Sequence, residues 1–141
     1  MLVSTKGRFA LRMMVDLAQH VEEEKCSLKE ISIRQGISLK YLEQIVPLLT
    51  RSGLIRSMRG ARGGYHLSRR PDQYTVGEIL RATEGNLLAL PCLDENTALC
   101  ARKDGCATLP FWSGLQQTID QYMDSVTLQD LIAQDPAAPP I

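Results

Sequence analysis

The 141-residue sequence has no net charge at pH 7, since 16 Lys and Arg face 16 Asp and Glu. It also has no apolar run approaching the ~18–20 residues that cross a bilayer, which argues against a transmembrane helix. Residues 1–20 lack the charged n-region, continuous apolar stretch and small-residue cleavage site of a secretory leader. There are no internal repeats, no phosphate-cradling glycine loop, no nucleophile–base set and no carboxylates paired for acid–base work. The acidic residues fall at helix starts and turns, where capping accounts for them. The expectation is a soluble cytoplasmic protein that makes no membrane contact and is not an enzyme. Apolar residues at 44% and charged residues at 23% are ordinary for a globular chain and exclude a disordered or collagen-like one. The length suits one domain, or a small domain with an appendage, burying roughly two-thirds of its unfolded surface.

The zero net charge conceals a split. Residues 1–70 hold 13 Lys/Arg and 6 Asp/Glu, whereas residues 71–141 hold 3 and 10. Two charge-complementary halves packed together would explain this, but so would a first half that meets a polyanion.

Periodicity and capping signals order the first half. A helix is predicted from Ser4 or Thr5 to about His20, with Phe9, Met13, Met14 and Leu17 as its apolar stripe. Glu22, Glu23 and Glu24 form a solvated turn. Ser27 and Glu30 make a capping box for a short helix to Gln35, which Gly36 ends. Ser38 caps a further helix to about Ser52 with the stripe Leu42, Ile45, Val46 and Leu49, and Pro47 interrupts its hydrogen bonding. Helix, tight turn and helix make a helix-turn-helix. Ile55–Met58, a glycine-rich turn Arg59–Gly64, and Tyr65–Ser68 then form a small basic β-hairpin, a wing.

The second half is less regular. Thr75 and Glu78 make another capping box, for a short helix to about Thr83, stopped by Gly85. Pro91 to Thr108 is too irregular to assign as helix or strand. Pro110 fits the first turn of a long helix whose apolar residues, Phe111, Trp112, Leu115, Ile119, Tyr122, Met123 and Val126, repeat every three or four positions. That stripe is rich for a lone helix, although part of it belongs to intramolecular core. Thr127 and Asp130 mark a short final helix, and the tail from 135 to 141 is expected to be extended or disordered. The fold class is therefore mainly α with a small β-hairpin. Residues 1–85 form a winged helix-turn-helix domain, 86–109 a cysteine-containing loop, 110–134 a long helix with the short final one, and 135–141 a tail.

In a helix-turn-helix, the start of the second helix reaches base edges in the major groove. Those residues here are Ser38, Lys40, Tyr41, Glu43 and Gln44. Gln can pair with adenine, Glu can accept from the cytosine amino group, and Lys can meet phosphate or guanine. Arg59 and Arg62 at the wing suit the minor groove or its phosphates, and Ser4, Thr5 and Lys6 can donate to a phosphate. Tyr41 suits a core edge equally well. A winged helix can also serve only as a protein-interaction fold. The basic wing and the charge split favour double-stranded DNA.

Four cysteines are present, Cys26, Cys92, Cys100 and Cys106. Cys26 stands alone, as a buried or bland thiol. The other three are spaced with seven and five residues between them. Thiolates on one loop can converge on a soft metal. The spacing is not that of paired CxxC motifs in a zinc ribbon, so an iron–sulfur cluster, zinc and redox-active thiols stand close together by chemistry alone.

The stretches Ser4-Thr5-Lys6-Gly7-Arg8, Leu28-Lys29-Glu30-Ile31, Tyr41-Leu42-Glu43-Gln44, Arg59-Gly60 with Gly63-Gly64-Tyr65, and Thr127 to Leu131 together resemble the Rrf-type family of bacterial winged-helix regulators, which includes IscR, NsrR and CymR. The resemblance covers nearly the whole chain. It implies a homodimeric transcription factor, usually a repressor, on a roughly palindromic operator. It also implies a long C-terminal helix that crosses its partner's, with Trp112, Leu115, Ile119, Tyr122 and Met123 at the interface. Three loop cysteines are similar to the iron–sulfur branch, which implies Cys92, Cys100 and Cys106 as ligands of a cluster, [2Fe–2S] in preference to [4Fe–4S]. Leu109 and Arg8 occupy the positions where that branch carries a fourth ligand, so this ligand is left open among Asp94, Glu95, Asp104, His20 and His66. The alternative within the family is a cluster-free regulator controlled by thiol redox, zinc or a protein partner.

Overall fold

The computed structural model describes residues 2–23, 25–60, 63–94 and 103–134. Helix α1 (Thr5–Gln19) buries Ala10, Met13, Met14 and Leu17 along one stripe. Phe9, expected in that stripe, lies at its edge, with its ring 5.2 Å from Tyr41 in an edge-on contact. The α1 start is capped twice. Ser4 Oγ accepts from the Gly7 N–H, and a Glu84 carboxylate oxygen accepts from the N–H of Ser4 and of Gly7, each at 3.0 Å, as well as from the Ser4 hydroxyl. A Cβ on Gly7 would meet the Glu84 carboxylate, so a larger residue there would push that side chain off its caps.

Helix α2 (Leu28–Gln35) begins with the reciprocal Ser27–Glu30 box and ends on Gly36 at φ +63°. Helix α3 (Leu39–Arg51) turns Leu42, Ile45, Val46 and Leu49 inward. It continues through Pro47, which is exposed, so the missing hydrogen bond falls on the water side. Strand β1 (Ile55–Met58) pairs antiparallel with β2 (Gly64–Leu67), with Ile55 opposite Leu67 and Met58 opposite Gly64. Cys26 bridges to the outer edge of β2: its N–H donates to the Tyr65 carbonyl and its carbonyl accepts from the Tyr65 N–H, at 3.0 and 2.8 Å. Backbone comes so close there that a Cβ on Gly64 would lie 2.6 Å from the Cys26 carbonyl oxygen.

A 3-10 turn (Pro71–Gln73) leads into Tyr74, which is fully buried. The Tyr74 hydroxyl donates to the Leu54 carbonyl at 2.6 Å and accepts from the N–H of Ser68 and of Arg69 at 2.8 and 3.0 Å. The base of the hairpin is thus gathered onto one oxygen. In helix α4 (Val76–Glu84), Thr75 caps the Glu78 N–H at 3.1 Å. Glu78 does not complete the expected box, because its carboxylate pairs with Arg69 at 2.6 Å.

Helix α5 (Leu109–Ser125) lies against α4, where Arg81 bridges to Asp124 at 2.7 Å and to Asp120 at 3.5 Å. Leu80, Leu87 and Met123 form a second small core, with Val3, Val76 and Ile119 packed on it. Helix α6 (Leu128–Gln134) carries the full Thr127–Asp130 box. It returns to the main core, where Leu128 is fully buried and Leu131 and Ile132 pack. Within residues 110–134, α6 thus packs on the main core and α5 on α4. The tail at 135–141 lies outside the described residues.

The Asp16 carboxylate, 1% exposed, joins α1 to α2. It accepts from Arg34 Nη2 at 2.7 Å, Arg34 Nε at 3.1 Å and Gln35 Nε2 at 2.9 Å. Tyr74→Phe should lower unfolding stability by about 1–3 kcal/mol, because it strands three backbone groups. Asp16→Ala should cost about 2–3 kcal/mol, less than a fully buried pair because Arg34 is 30% exposed. Urea denaturation measures both, and an unchanged midpoint in either variant would remove that contact from the account.

Candidate functional site

The first turn of α3 is held in place from below and open above. Leu42, Ile45 and Leu49 anchor its inner face at 0% exposure, while Ser38, Lys40, Glu43 and Gln44 are exposed on the outer one. Ser38 is also the N-cap, accepting from the Tyr41 N–H at 3.1 Å. Tyr41 is half-buried and packs on the core beside Phe9, so the structure gives it the core-edge position. Arg59 is exposed at the wing, and Arg62 lies outside the described residues.

Positive charge gathers along this stretch of the chain. Between Ser38 and Arg70 the sequence holds seven Lys and Arg and one carboxylate, Glu43. Arg34, Arg69, Arg70 and Arg81 are each paired with a carboxylate. Lys40, Arg51, Arg56 and Arg59 on α3 and the wing have no ion pair among the described residues, and the three arginines are exposed like Lys40. Arg51 and Arg56 were not singled out from sequence. The signal for both was available: Arg51 recurs at helical spacing with Lys40, Gln44 and Pro47, and Arg56 alternates with inward Ile55 on its strand.

At the start of α1, Thr5 is exposed and Lys6 half-buried. Ser4 differs from the expectation of a phosphate donor. Its N–H and hydroxyl are already taken by Glu84, which places a carboxylate where an anion would sit.

Of the loop cysteines, Cys92 sits in a 3-10 turn (Pro91–Leu93) and Cys106 just after another (Lys103–Gly105). Both are half-buried free thiols, and Cys100 lies outside the described residues. The Thr108 hydroxyl, 3.4 Å from Cys106 Sγ, and the Thr108 backbone hold the Cys106 thiol below its ordinary pKa. Cys26 is its opposite: burial first, and Glu23 next, push it up to about 11. The loop is tied to α5 by Gln116, whose side chain accepts from the Ala89 N–H at 2.7 Å and donates to the Leu87 carbonyl at 2.8 Å. Two free, partly exposed thiols, one of them acidified, fit the donor chemistry of a soft metal centre.

Among the described residues no three His, Cys, Asp or Glu side chains converge as a metal site. His20 Nδ1 lies 2.7 Å from the Asp16 carbonyl oxygen. His66 is half-buried on β2 opposite Arg56, and Asp104 is exposed. Glu95 lies outside the described residues. Along α5, Tyr122 at 71% and Leu115 at 37% are exposed and Trp112 is half-buried, whereas Ile119 and Met123 pack against α4 and Leu87 within the chain.

Comparison with known proteins agrees with this architecture. Residues 3–134 match the Rrf2 family, described as an iron-dependent transcriptional regulator. The regulator IscR of Aliivibrio salmonicida is 36% identical over 135 residues, covering 96% of this chain and 79% of that protein. The solved structure of CymR, the global cysteine regulator of B. subtilis, superposes with a TM-score of 0.78 at 36% identity, covering 96% of this chain and 98% of that one. T. potens IscR does so at 0.74 and 37% identity, covering 100% and 93%. No helix among the described residues is long and apolar enough to cross a membrane. A winged-helix architecture, matched over nearly its full length to such regulators, means that the chain belongs to the Rrf2 family of transcriptional regulators.

Proposed function

We propose that the protein binds a roughly palindromic operator as a homodimer, usually to repress, and that an iron–sulfur cluster held by Cys92, Cys100 and Cys106 governs that binding. The observation that carries the DNA reading is the row of cations, Lys40, Arg51, Arg56 and Arg59, that have no ion pair among the described residues and surround the exposed polar turn of α3. Ser38, Lys40, Glu43 and Gln44 enter the major groove, with Tyr41 supporting them from the core edge. Arg59 and Arg62 reach the minor groove or its phosphates. Thr5 and Lys6 approach the backbone beside the helix-turn-helix. Trp112, Leu115 and Tyr122 offer α5 to the partner helix, and Ile119 and Met123 hold α5 on its own α4.

The loop cysteines are the reading's second half. The bound cluster, [2Fe–2S] in preference to [4Fe–4S], supplies a centre whose occupancy or oxidation state follows iron, oxidants or nitric oxide. Gln116 couples the loop to α5, and Arg81 couples α5 to α4 through Asp120 and Asp124. A change in loop posture therefore moves the dimer helix relative to the two reading helices. Both half-sites must be met at once, so a small rotation shifts the population between competent and incompetent dimers. Location in the cytoplasm, where thiols stay reduced, suits this ligand set.

Anaerobic purification with iron and acid-labile sulfide analysis tests the cofactor. Visible charge-transfer bands that disappear in Cys100→Ala are expected. A protein that stays colourless after reconstitution moves control to thiol redox, zinc or a protein partner. For the interface, Arg59→Ala should weaken binding to all duplexes and lower the salt slope by about 1 per arginine removed, whereas Gln44→Ala should mainly relax sequence preference. Operator affinities measured across a salt series decide this, and two unaffected variants would overturn the docking.

A further inference from the structure

Leu39 opens α3 and is 43% exposed. It stands apart from the other leucine, isoleucine and valine side chains of that helix. Leu42, Ile45, Val46 and Leu49 are buried and Leu48 is half-buried. Both neighbours of Leu39, Ser38 and Lys40, are exposed and polar. A first helical position has no need of an apolar side chain, since it contributes little to the buried stripe. Leu39 and Glu43 are one turn apart and share a side of α3. Side chains on a helix lean toward its N-terminus, here the end that enters the groove. The one apolar group that base edges present in the major groove is the C5-methyl of thymine.

We propose that Leu39 reads a thymine methyl in each operator half-site, next to the base that Glu43 contacts. This rests on the operator-binding reading above and adds to it a specificity-determining residue. Leu39 supplies van der Waals contact and water exclusion. Hydrogen-bonding side chains such as Gln44 cannot replace it, because deleting a methyl leaves every donor and acceptor of the base in place.

Replacing thymine by deoxyuridine removes that methyl alone, so it provides the test. An operator is selected from a random duplex library with the full chain, and each of its thymines is replaced in turn. Dissociation constants are measured by fluorescence anisotropy at one salt concentration. One thymine per half-site should lose about three- to fourfold in affinity on replacement, the worth of burying one methyl group. Leu39→Ala should bind thymine and deoxyuridine duplexes equally at that position, and Leu39→Met should keep the preference. Wild-type binding indifferent to every replacement would overturn the proposal, as would a preference that survives in Leu39→Ala. Failure to enrich any duplex would overturn the operator reading itself, whereas an enriched duplex bound without regard to its methyl groups would overturn only the role of Leu39.

Discussion

The phenol of Tyr74 is the point on which the winged helix closes. One buried oxygen satisfies the Leu54 carbonyl at the entry to the hairpin and the Ser68 and Arg69 N–H groups at its exit. The Tyr74 carbonyl accepts from the Leu128 N–H at 3.2 Å, which seats the last helix on the same residue. A two-stranded hairpin alone is marginal in water. This one is held at its base by Tyr74 and along one edge by Cys26, so Arg56 and Arg59 are presented from a supported frame.

Electrostatics divides the labour of the arginines and lysines. Those inside the architecture are neutralised locally: Arg34 by Asp16, Arg69 by Glu78, Arg81 by Asp124. Among the described residues, Lys40, Arg51, Arg56 and Arg59 on α3 and the wing have no carboxylate partner, and their charge is open to a polyanion. Glu84 works in the opposite sense. By capping α1 from within the chain it fills the helix start with a carboxylate and fastens α1 to α4 across 80 residues of sequence.

Gln116 is buried at 8% exposure and binds the backbone of Leu87 and Ala89, so the segment leading to Cys92 is anchored on α5. Met123 and Leu80 fix α5 to the winged domain from the other side. A ligand on the thiols would thus act on a helix that touches both the reading domain and, in the proposed dimer, its partner.

Local chemistry was legible in the residues. The boxes Ser27–Glu30 and Thr127–Asp130, the Ser38 cap, the Gly36 stop and the inward stripe of α3 depend on side chains three or four positions apart, and the sequence alone determined them along with the basic wing and the three clustered thiols. What joins distant residues was not legible. Cys26 pairing with Tyr65, Asp16 meeting Arg34, Glu78 leaving its own cap for Arg69, Ser4 yielding its donors to Glu84, and α6 returning to the core were decided by the tertiary structure. The physical reason is one of competition. A carboxylate or hydroxyl has several partners of similar strength in reach, and only the packing of Tyr74, Leu128 and the α1 stripe brings one of them close enough to win.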